Sequence, residues 1–252
     1  MLFRSKVCAN DPFWIEFLKV KYQEFFEEFP EVAGVITAVA TGESKISITS
    51  NRCTCDLCKS TSKAQWFKSV LEAMHSVTER FGKRLVVRDF VFNPAAHHAI
   101  ASVMEELPPN VAMSLKNTPH DYYPTFPTNT RIGGVGDHEQ WIEFDAMGQY
   151  FGWGIGMADL LEDYRERLAY AKDRGATGFI VRTDWESLDG HTVFRTPNLV
   201  NLYSIAKLAT TLDTPAAAIY DEYLSREQWY DPQATDEQRR QALGWFSTIM
   251  ST

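Results

Sequence analysis

Three acidic residues in this chain each stand just past a short apolar run that reads as a strand. Glu43 follows Val35-Ile36-Thr37-Ala38-Val39, Asp121 follows Val111-Ala112-Met113-Ser114-Leu115, and Glu143 closes Gln140-Trp141-Ile142. Carboxyl groups at successive strand ends are how a β/α barrel assembles acid and base chemistry. At Glu43, within Thr41-Gly42-Glu43-Ser44, partial desolvation would suit a general acid. A solvated turn is the other reading of a lone Glu there.

Lys116-Asn117-Thr118-Pro119-His120-Asp121-Tyr122-Tyr123-Pro124 is denser: a cation, an amide, an imidazole, a carboxylate and two aromatics in nine residues. Charged groups this close to an apolar strand are costly to bury unless paired. In Trp141-Ile142-Glu143-Phe144-Asp145 the strand alternation puts Trp141 and Glu143 on one face, opposite Ile142 and Phe144. Arg88, inside the apolar run Leu85–Phe92, could hold a substrate carboxylate as a bidentate pair or form an internal salt bridge with one of the acids. Trp185, beyond the fifth strand, completes a candidate substrate-binding set of Arg88, Lys116, Asn117, His120, Tyr122 and Trp141. Cys53-Thr54-Cys55-Asp56-Leu57-Cys58 forms a C-x-C-x2-C cluster. A zinc site needs four ligands. Cys8 is the only other cysteine, and His75, His97 and His98 are remote in sequence, so reduced loop thiols are expected and no metal or other cofactor is assigned; a metal-dependent module built around Cys53, Cys55 and Cys58 is the alternative reading.

The elements that must position these groups follow from periodicity. Residues 11–29 read as an amphipathic helix, with Trp14, Leu18, Tyr22 and Phe25 at helical spacing. The run over 32–40 reads as a strand buried on both faces, as in parallel sheets. A helix over 61–81 ends at Gly82 in the C′ position. A strand follows over 85–92, a helix over 95–106 and a strand over 111–116. A long loop rich in Pro, Tyr and Thr runs to about 138; loops of this length inside a compact domain are usually functional or disordered. Next come a strand over 139–145, a helix over 157–173 ending at Gly175, and a strand over 178–182. Helical patterns begin at about 197 and again at about 215. Strands alternating with helices indicate a parallel sheet with right-handed crossovers.

Composition narrows the function. The 252 residues carry a net charge of −8, which argues against a nucleic-acid partner. No apolar run approaches a membrane span of about 18–20 residues, and the N-terminus lacks a signal-peptide h-region. Four cysteines are too few to staple a chain of this size, so a reducing, cytoplasmic setting is expected. Aromatics make up 13%, including seven Trp, a composition suited to sugar faces as well as to ordinary cores.

Taken in order, these segments resemble glycoside hydrolase family 67, the α-glucuronidases, over roughly residues 29–225. Phe29-Pro30-Glu31-Val32-Ala33-Gly34-Val35, leading to Gly42-Glu43-Ser44, resembles the family strand that ends in its acid-bearing S-E-G turn. Val86-Val87-Arg88-Asp89-Phe90-Val91-Phe92 is similar to W-R-A-F-V-Y, and Lys116-Asn117-Thr118-Pro119-His120-Asp121-Tyr122 to K-x-G-P-I-D-F. Ile142 to Gly152 resembles E-F-Q-x-x-Q-E-Y-x-G, and Asn201-Leu202-Tyr203-Ser204-Ile205-Ala206-Lys207-Leu208-Ala209 resembles N-L-Y-A-F-G-R-L-A. The chain departs from the pattern at Ser44, Val87 and Thr118, and its cysteine cluster replaces a His-rich family loop.

The resemblance implies an α/β fold of the (β/α)8 TIM-barrel type, present in part as about strands 4 to 8 and followed by C-terminal helices. The partial barrel would occupy 1–190 and a helical segment 191–252. Glu43 matches the general acid, Asp121 and Glu143 match the two carboxylates that activate water, and Arg88 and Lys116 match positions that hold the uronic acid carboxylate. Inverting hydrolysis needs acid and base roughly 6.5–9.5 Å apart. The expected partner is an oligosaccharide, with no nucleic acid and no membrane. A part-barrel exposes parallel strand edges, so a homo-oligomer or a missing N-terminal part is also expected. A non-catalytic carbohydrate-binding or structural remnant is the alternative.

Overall fold

The computed structural model describes residues 8, 10–39, 53–90, 94–123, 125–151, 154–184 and 192–250. Glu43 and Trp185 lie outside them. The chain is α/β, with one five-stranded, all-parallel sheet and helices. Its strands are β1 (Gly34–Thr37), β2 (Arg84–Asp89), β3 (Ala112–Lys116), β4 (Gln140–Asp145) and, after a short hairpin of β5 (Gln149–Phe151) and β6 (Gly154–Ile155), β7 (Gly178–Arg182). The sheet order is β1-β2-β3-β4-β7, so each strand lies beside its predecessor in sequence, apart from the hairpin. The helices are α1 (Pro12–Glu28), α2 (Asp56–Ser60), α3 (Lys63–Arg80), α4 (Pro94–Met104), α5 (Leu161–Asp173), α6 (Leu199–Thr210), α7 (Ala216–Arg226) and α8 (Asp236–Met250). Among the described residues no helix is long and apolar enough to cross a membrane.

Two compact units divide the chain. The first comprises Met1–Lys116 and Arg131–Trp141, and the second Asn117–Thr130 and Ile142–Thr252.

In the first unit, α3 begins with a capping box, in which the Ser62 hydroxyl accepts from the Gln65 amide and the Gln65 side chain accepts from the Ser62 amide. Its buried residues Phe67, Leu71, Met74 and Thr78 recur at three- and four-residue steps, the spacing of one helical face. Gly82 follows the helix with φ of +63°, the left-handed C′ conformation that glycine adopts without penalty. The register pairs Gly34 with Arg84 and Val86 with Ala112. β2 and β3 are buried almost throughout. β1 is not: Ile36 is 48% exposed, so the expectation of burial on both faces is corrected. β1 ends the strand order, and its β-branched composition reflects strand propensity rather than two-sided burial.

In the second unit, α5 ends at Gly175 (φ +81°), as its sequence anticipates. Two elements escape periodicity. β5 and β6 have three and two residues, too few to show alternation. The helical pattern after residue 215 resolves into two helices, α7 and α8. Asn198 and Asn201, each 1% exposed at the start of α6, hold the irregular segment between β4 and α5. Asn198 accepts from the Ala158 amide and donates to the Met147 and Gly156 carbonyls, while Asn201 accepts from the Leu160 amide and donates to the Ala158 carbonyl. Backbone groups that a strand would have paired are thereby satisfied by side chains.

Gly34 is held by close approach rather than by its backbone angles. A Cβ there would stand 2.3 Å from the Arg84 carbonyl oxygen, a backbone atom that cannot rotate away. Gly34→Ala should therefore force β1 from β2 and cost about 1–3 kcal/mol in urea unfolding, the usual range for overpacking.

Candidate functional site

The second unit gathers carboxyl groups where β4 ends and where the chain leaves β3. Asp121 and Glu143 are 9% and 4% exposed, and Asp145, the last residue of β4, is 5% exposed. Each is met by specific donors. The Tyr122 hydroxyl donates to Glu143 Oε1. The Tyr150 hydroxyl donates to Asp121 Oδ2 at 2.5 Å. The amides of Met147 and Gln149 both donate to Asp145 Oδ2, each at 3.1 Å.

Local backbone geometry aims these donors. Tyr150 has φ of +67° and sits at the irregularity between Gln149 and Phe151 in the β5–β6 pairing. A bulge of this kind turns a side chain away from the regular pleat. A non-glycine residue in left-handed backbone is strained and persists only when its surroundings hold it. Here the phenol reaches Asp121 while the ring stacks on Tyr123, with centroids 4.0 Å apart and planes at 17°. Burial first, and then the Asp121 carboxylate, hold Tyr150 well above the usual phenol range, so Tyr150 is the donor. Gly148 (φ +67°) makes the turn before it, where a Cβ would meet the Gly156 carbonyl at 2.4 Å.

The long loop after β3 is shaped by a buried cation. Arg167 of α5 is 7% exposed. Its Nε donates to Asp163 at 2.7 Å, Nη1 to the Asn117 carbonyl at 3.1 Å and Nη2 to the Phe126 carbonyl at 2.8 Å. Within the loop, the Asn129 amide returns to the Asn117 carbonyl at 2.9 Å, and the Thr118 hydroxyl donates to the Asp121 carbonyl at 2.9 Å.

A cleft of about 210 Å³ opens among these groups, lined by Asn117, Thr118, Tyr122, Tyr123, Asp145, Asp159, Leu160, Asp163, Tyr164 and Arg167. Two of its lining residues have a buried side-chain oxygen without a hydrogen-bond partner among the described residues: Oδ1 of Asn117 and Oδ1 of Asp145. Burial pushes the Asp145 carboxyl up to about 6, against the opposing pull of the Gln149 amide, Arg182 and the Met147 and Gly148 amides. Tyr164, fully enclosed, donates to the Asp145 carbonyl at 2.6 Å and is held protonated by burial, with the Asp145 charge adding to the effect. A larger opening of about 730 Å³ in the same unit is lined by the start of β7, the end of α5 and Leu208–Asp213, where no strand-end carboxylate is found.

The sequence-based candidates are therefore distributed as follows. Asn117, Asp121, Tyr122 and Glu143 come together in the second unit, and His120 lies half-buried in the same loop. Arg88 and Lys116 belong to the first unit, where both cations lie over the Phe90 ring, at 4.5 and 4.0 Å from its centroid. Trp141, also in the first unit, engages groups at the strand starts: its indole donates to Glu139 at 3.0 Å, and Arg84 lies 5.7 Å from its ring. Asp145, Tyr150 and Arg167 were not singled out from sequence. Asp145 shares the Glu143 strand and was legible as a further strand-end acid. Tyr150 carries no local signal, because its partner is 29 residues away; the spacing of Arg167 from Asp163 suggests a helical ion pair but not its bonds to carbonyls 50 and 41 residues away. Asp89, which closes β2, was also passed over: it is buried and paired with Arg131 and with His97 at 2.9 Å.

In the first unit, Cys8, Cys53, Cys55 and Cys58 bring their sulfurs within 4.8 Å of one another, and among the described residues this is the group that could hold a metal. Comparison with known proteins finds no family model that matches the chain and no curated protein that matches it.

Asp145 gives a pH prediction. The folded protein holds this proton more tightly than the unfolded chain does. Its stabilising contribution is complete below the ordinary value of 3.8 and is lost as pH rises through about 6. Asp145→Asn should therefore raise stability at pH 7 by up to about 3 kcal/mol and flatten the profile between pH 4 and 6, followed by thermal unfolding at several pH values.

Proposed function

We propose that this chain is a glycoside hydrolase of the α-glucuronidase kind, or the catalytic part of one, releasing an α-linked uronic acid from a hemicellulose-type oligosaccharide with inversion. The observation that carries the reading is the pair of buried carboxylates, Asp121 and Glu143, each oriented by a tyrosine hydroxyl, with Tyr122, the donor to Glu143, also lining the polar cleft. Oriented carboxylates are what activation of water requires, and a fixed donor keeps a carboxylate in one rotamer at no further entropic cost. The stacked Tyr123–Tyr150 pair, with Tyr123 41% exposed, offers an apolar face of the sort a pyranose ring covers. The cleft volume suits one sugar-sized group rather than a long chain, since pockets for larger ligands run to roughly 300–1,000 Å³.

On this reading the five parallel strands are the later strands of a β/α barrel. Glu43 protonates the leaving oxygen, and Asp121 or Glu143 takes a proton from the attacking water. Arg88 and Lys116, both beside Phe90, match by resemblance the positions that hold the substrate carboxylate. The glycosidic C–O bond breaks as the water oxygen bonds to the anomeric carbon from the opposite face, the proton passing to the base.

The test is incubation of the purified chain with aldouronic acids, following free uronic acid and its anomeric configuration by NMR. Asp121→Asn and Glu143→Gln should each lower kcat by about 10²–10⁴-fold while leaving the circular dichroism spectrum unchanged. Tyr150→Phe should cost less, because it removes an orienting bond and not the base. Absence of uronic acid release by the wild-type chain, or wild-type rates in both carboxylate variants, would refute the proposal. Calorimetric binding without product would favour a sugar-binding remnant.

A further inference from the structure

We infer that Cys8, Cys53, Cys55 and Cys58 form a tetrathiolate site for one zinc ion, an inference independent of the glycosidase reading. Three of the ligands come from a single short segment with C-x-C-x2-C spacing, and the fourth arrives from the N-terminal side of α1. The sulfurs of Cys8 and Cys58 stand 3.4 Å apart and those of Cys8 and Cys55 3.9 Å apart, with all four within 4.8 Å of one another. Zinc bound tetrahedrally by thiolates at about 2.3 Å places its sulfurs about 3.8 Å from each other, inside this range. A polynuclear iron–sulfur cluster spreads its cysteines farther, because the cluster itself lies between them.

The surroundings are those of a ligand set. Cys55 caps α2, and its sulfur accepts from the Cys58 amide at 3.4 Å, so the C-x2-C turn already directs a backbone N–H at a sulfur. Asn10 donates to the Cys58 sulfur at 3.2 Å and, at the same distance, to the Thr61 hydroxyl. Its own amide oxygen accepts from the Trp66 indole at 3.0 Å. Donors aimed at ligand sulfurs, themselves held by a second layer of hydrogen bonds, orient thiolates and offset their negative charge. Cys58 is buried while Cys55 is exposed, which encloses the site on one side and leaves a route for the ion on the other.

Zinc has no redox role here and leaves no coordination position open when four thiolates bind it, so the site is structural. Binding replaces the thiol protons with four Zn–S bonds and releases those protons to solvent. The ion would tie residue 8 to residues 53–58 and, through Asn10 and Trp66, the approach to α1 to the first turns of α3. Closing a loop of that length restricts the unfolded chain much as a disulfide does, without requiring an oxidising compartment.

The experiment is elemental analysis of the full chain purified without added metal, paired with cobalt titration of chelator-treated, reduced protein. The expected result is about one zinc per chain, with Co²⁺ producing the thiolate charge-transfer and visible bands of a tetrahedral four-sulfur site that Zn²⁺ then bleaches. Cys8→Ser should lower zinc occupancy at least about tenfold, in line with the loss of one ligand. Because that variant could fail to fold, the wild-type cobalt spectrum stands as the second measurement. Iron in place of zinc, a disulfide between any two of the four in the protein as purified, or no tetrahedral spectrum together with near-zero zinc would each overturn the assignment.

Discussion

Where the chain leaves β3 and β4 it carries buried carbonyls and amides that no neighbouring strand can pair. In the second unit side chains meet much of that requirement, Arg167, Asn198 and Asn201 among them. Arg167 suits the task because a guanidinium presents five donors in a rigid plane and can hold two carbonyls and one carboxylate at once. The asparagines suit it because one amide offers both a donor and an acceptor, so a single side chain can satisfy an N–H and two carbonyls. Removing Asn198 or Asn201 would leave buried backbone groups unpaired, a cost of about 1–3 kcal/mol for each group. The shape of the cleft, and the placement of Tyr122, Tyr123 and Asp145 on its wall, follow from these bonds.

The same enclosure differentiates the carboxyl groups. Asp121 and Glu143 each face a phenol that donates to them, whereas Asp145 relies on backbone amides at one oxygen and has no partner for the second among the described residues. Burial favours a neutral carboxyl at Asp145 and hence a proton held to nearly neutral pH. Carboxyls that differ in this way within one unit are the raw material of acid–base chemistry, since pushing protonation states apart is how roles are assigned. The strain stored at Tyr150 belongs to the same economy of position, because a left-handed residue at a bulge reaches where a regular strand residue would not.

The first unit solves a different problem. Its charged groups near the sheet are matched locally: Asp89 with His97 and Arg131, and Lys116 and Arg88 with the Phe90 ring. Paired burial of this kind avoids the large penalty of an isolated charge. At the opening of α1 the apolar contribution is thin, since Phe13, Trp14 and Phe17 all retain at least 40% of their surface. Four sulfurs converge beside that helix start, where a bound ion would supply a cross-link.

The linear sequence by itself determined the elements and their alternation. The helical spacing of α3, the apolar run of β3 and the glycines at 82 and 175 are local properties that act over one or two turns of chain. It also marked Asp121, Tyr122 and Glu143, because a polar residue against an apolar strand is visible without knowing the fold. Ile36 was misjudged because burial depends on a strand's place in the sheet, which β-branched composition does not reveal. Only the tertiary structure decided that Tyr150 meets Asp121, that Arg167 organises the loop from Asn117 and that Cys8 joins a cluster 45 or more residues away. Those pairings rest on hydrogen bonds and sulfur contacts closed across long stretches of chain. Their partners are chosen by where the helices and strands bring the backbone, not by any periodicity in the residues themselves.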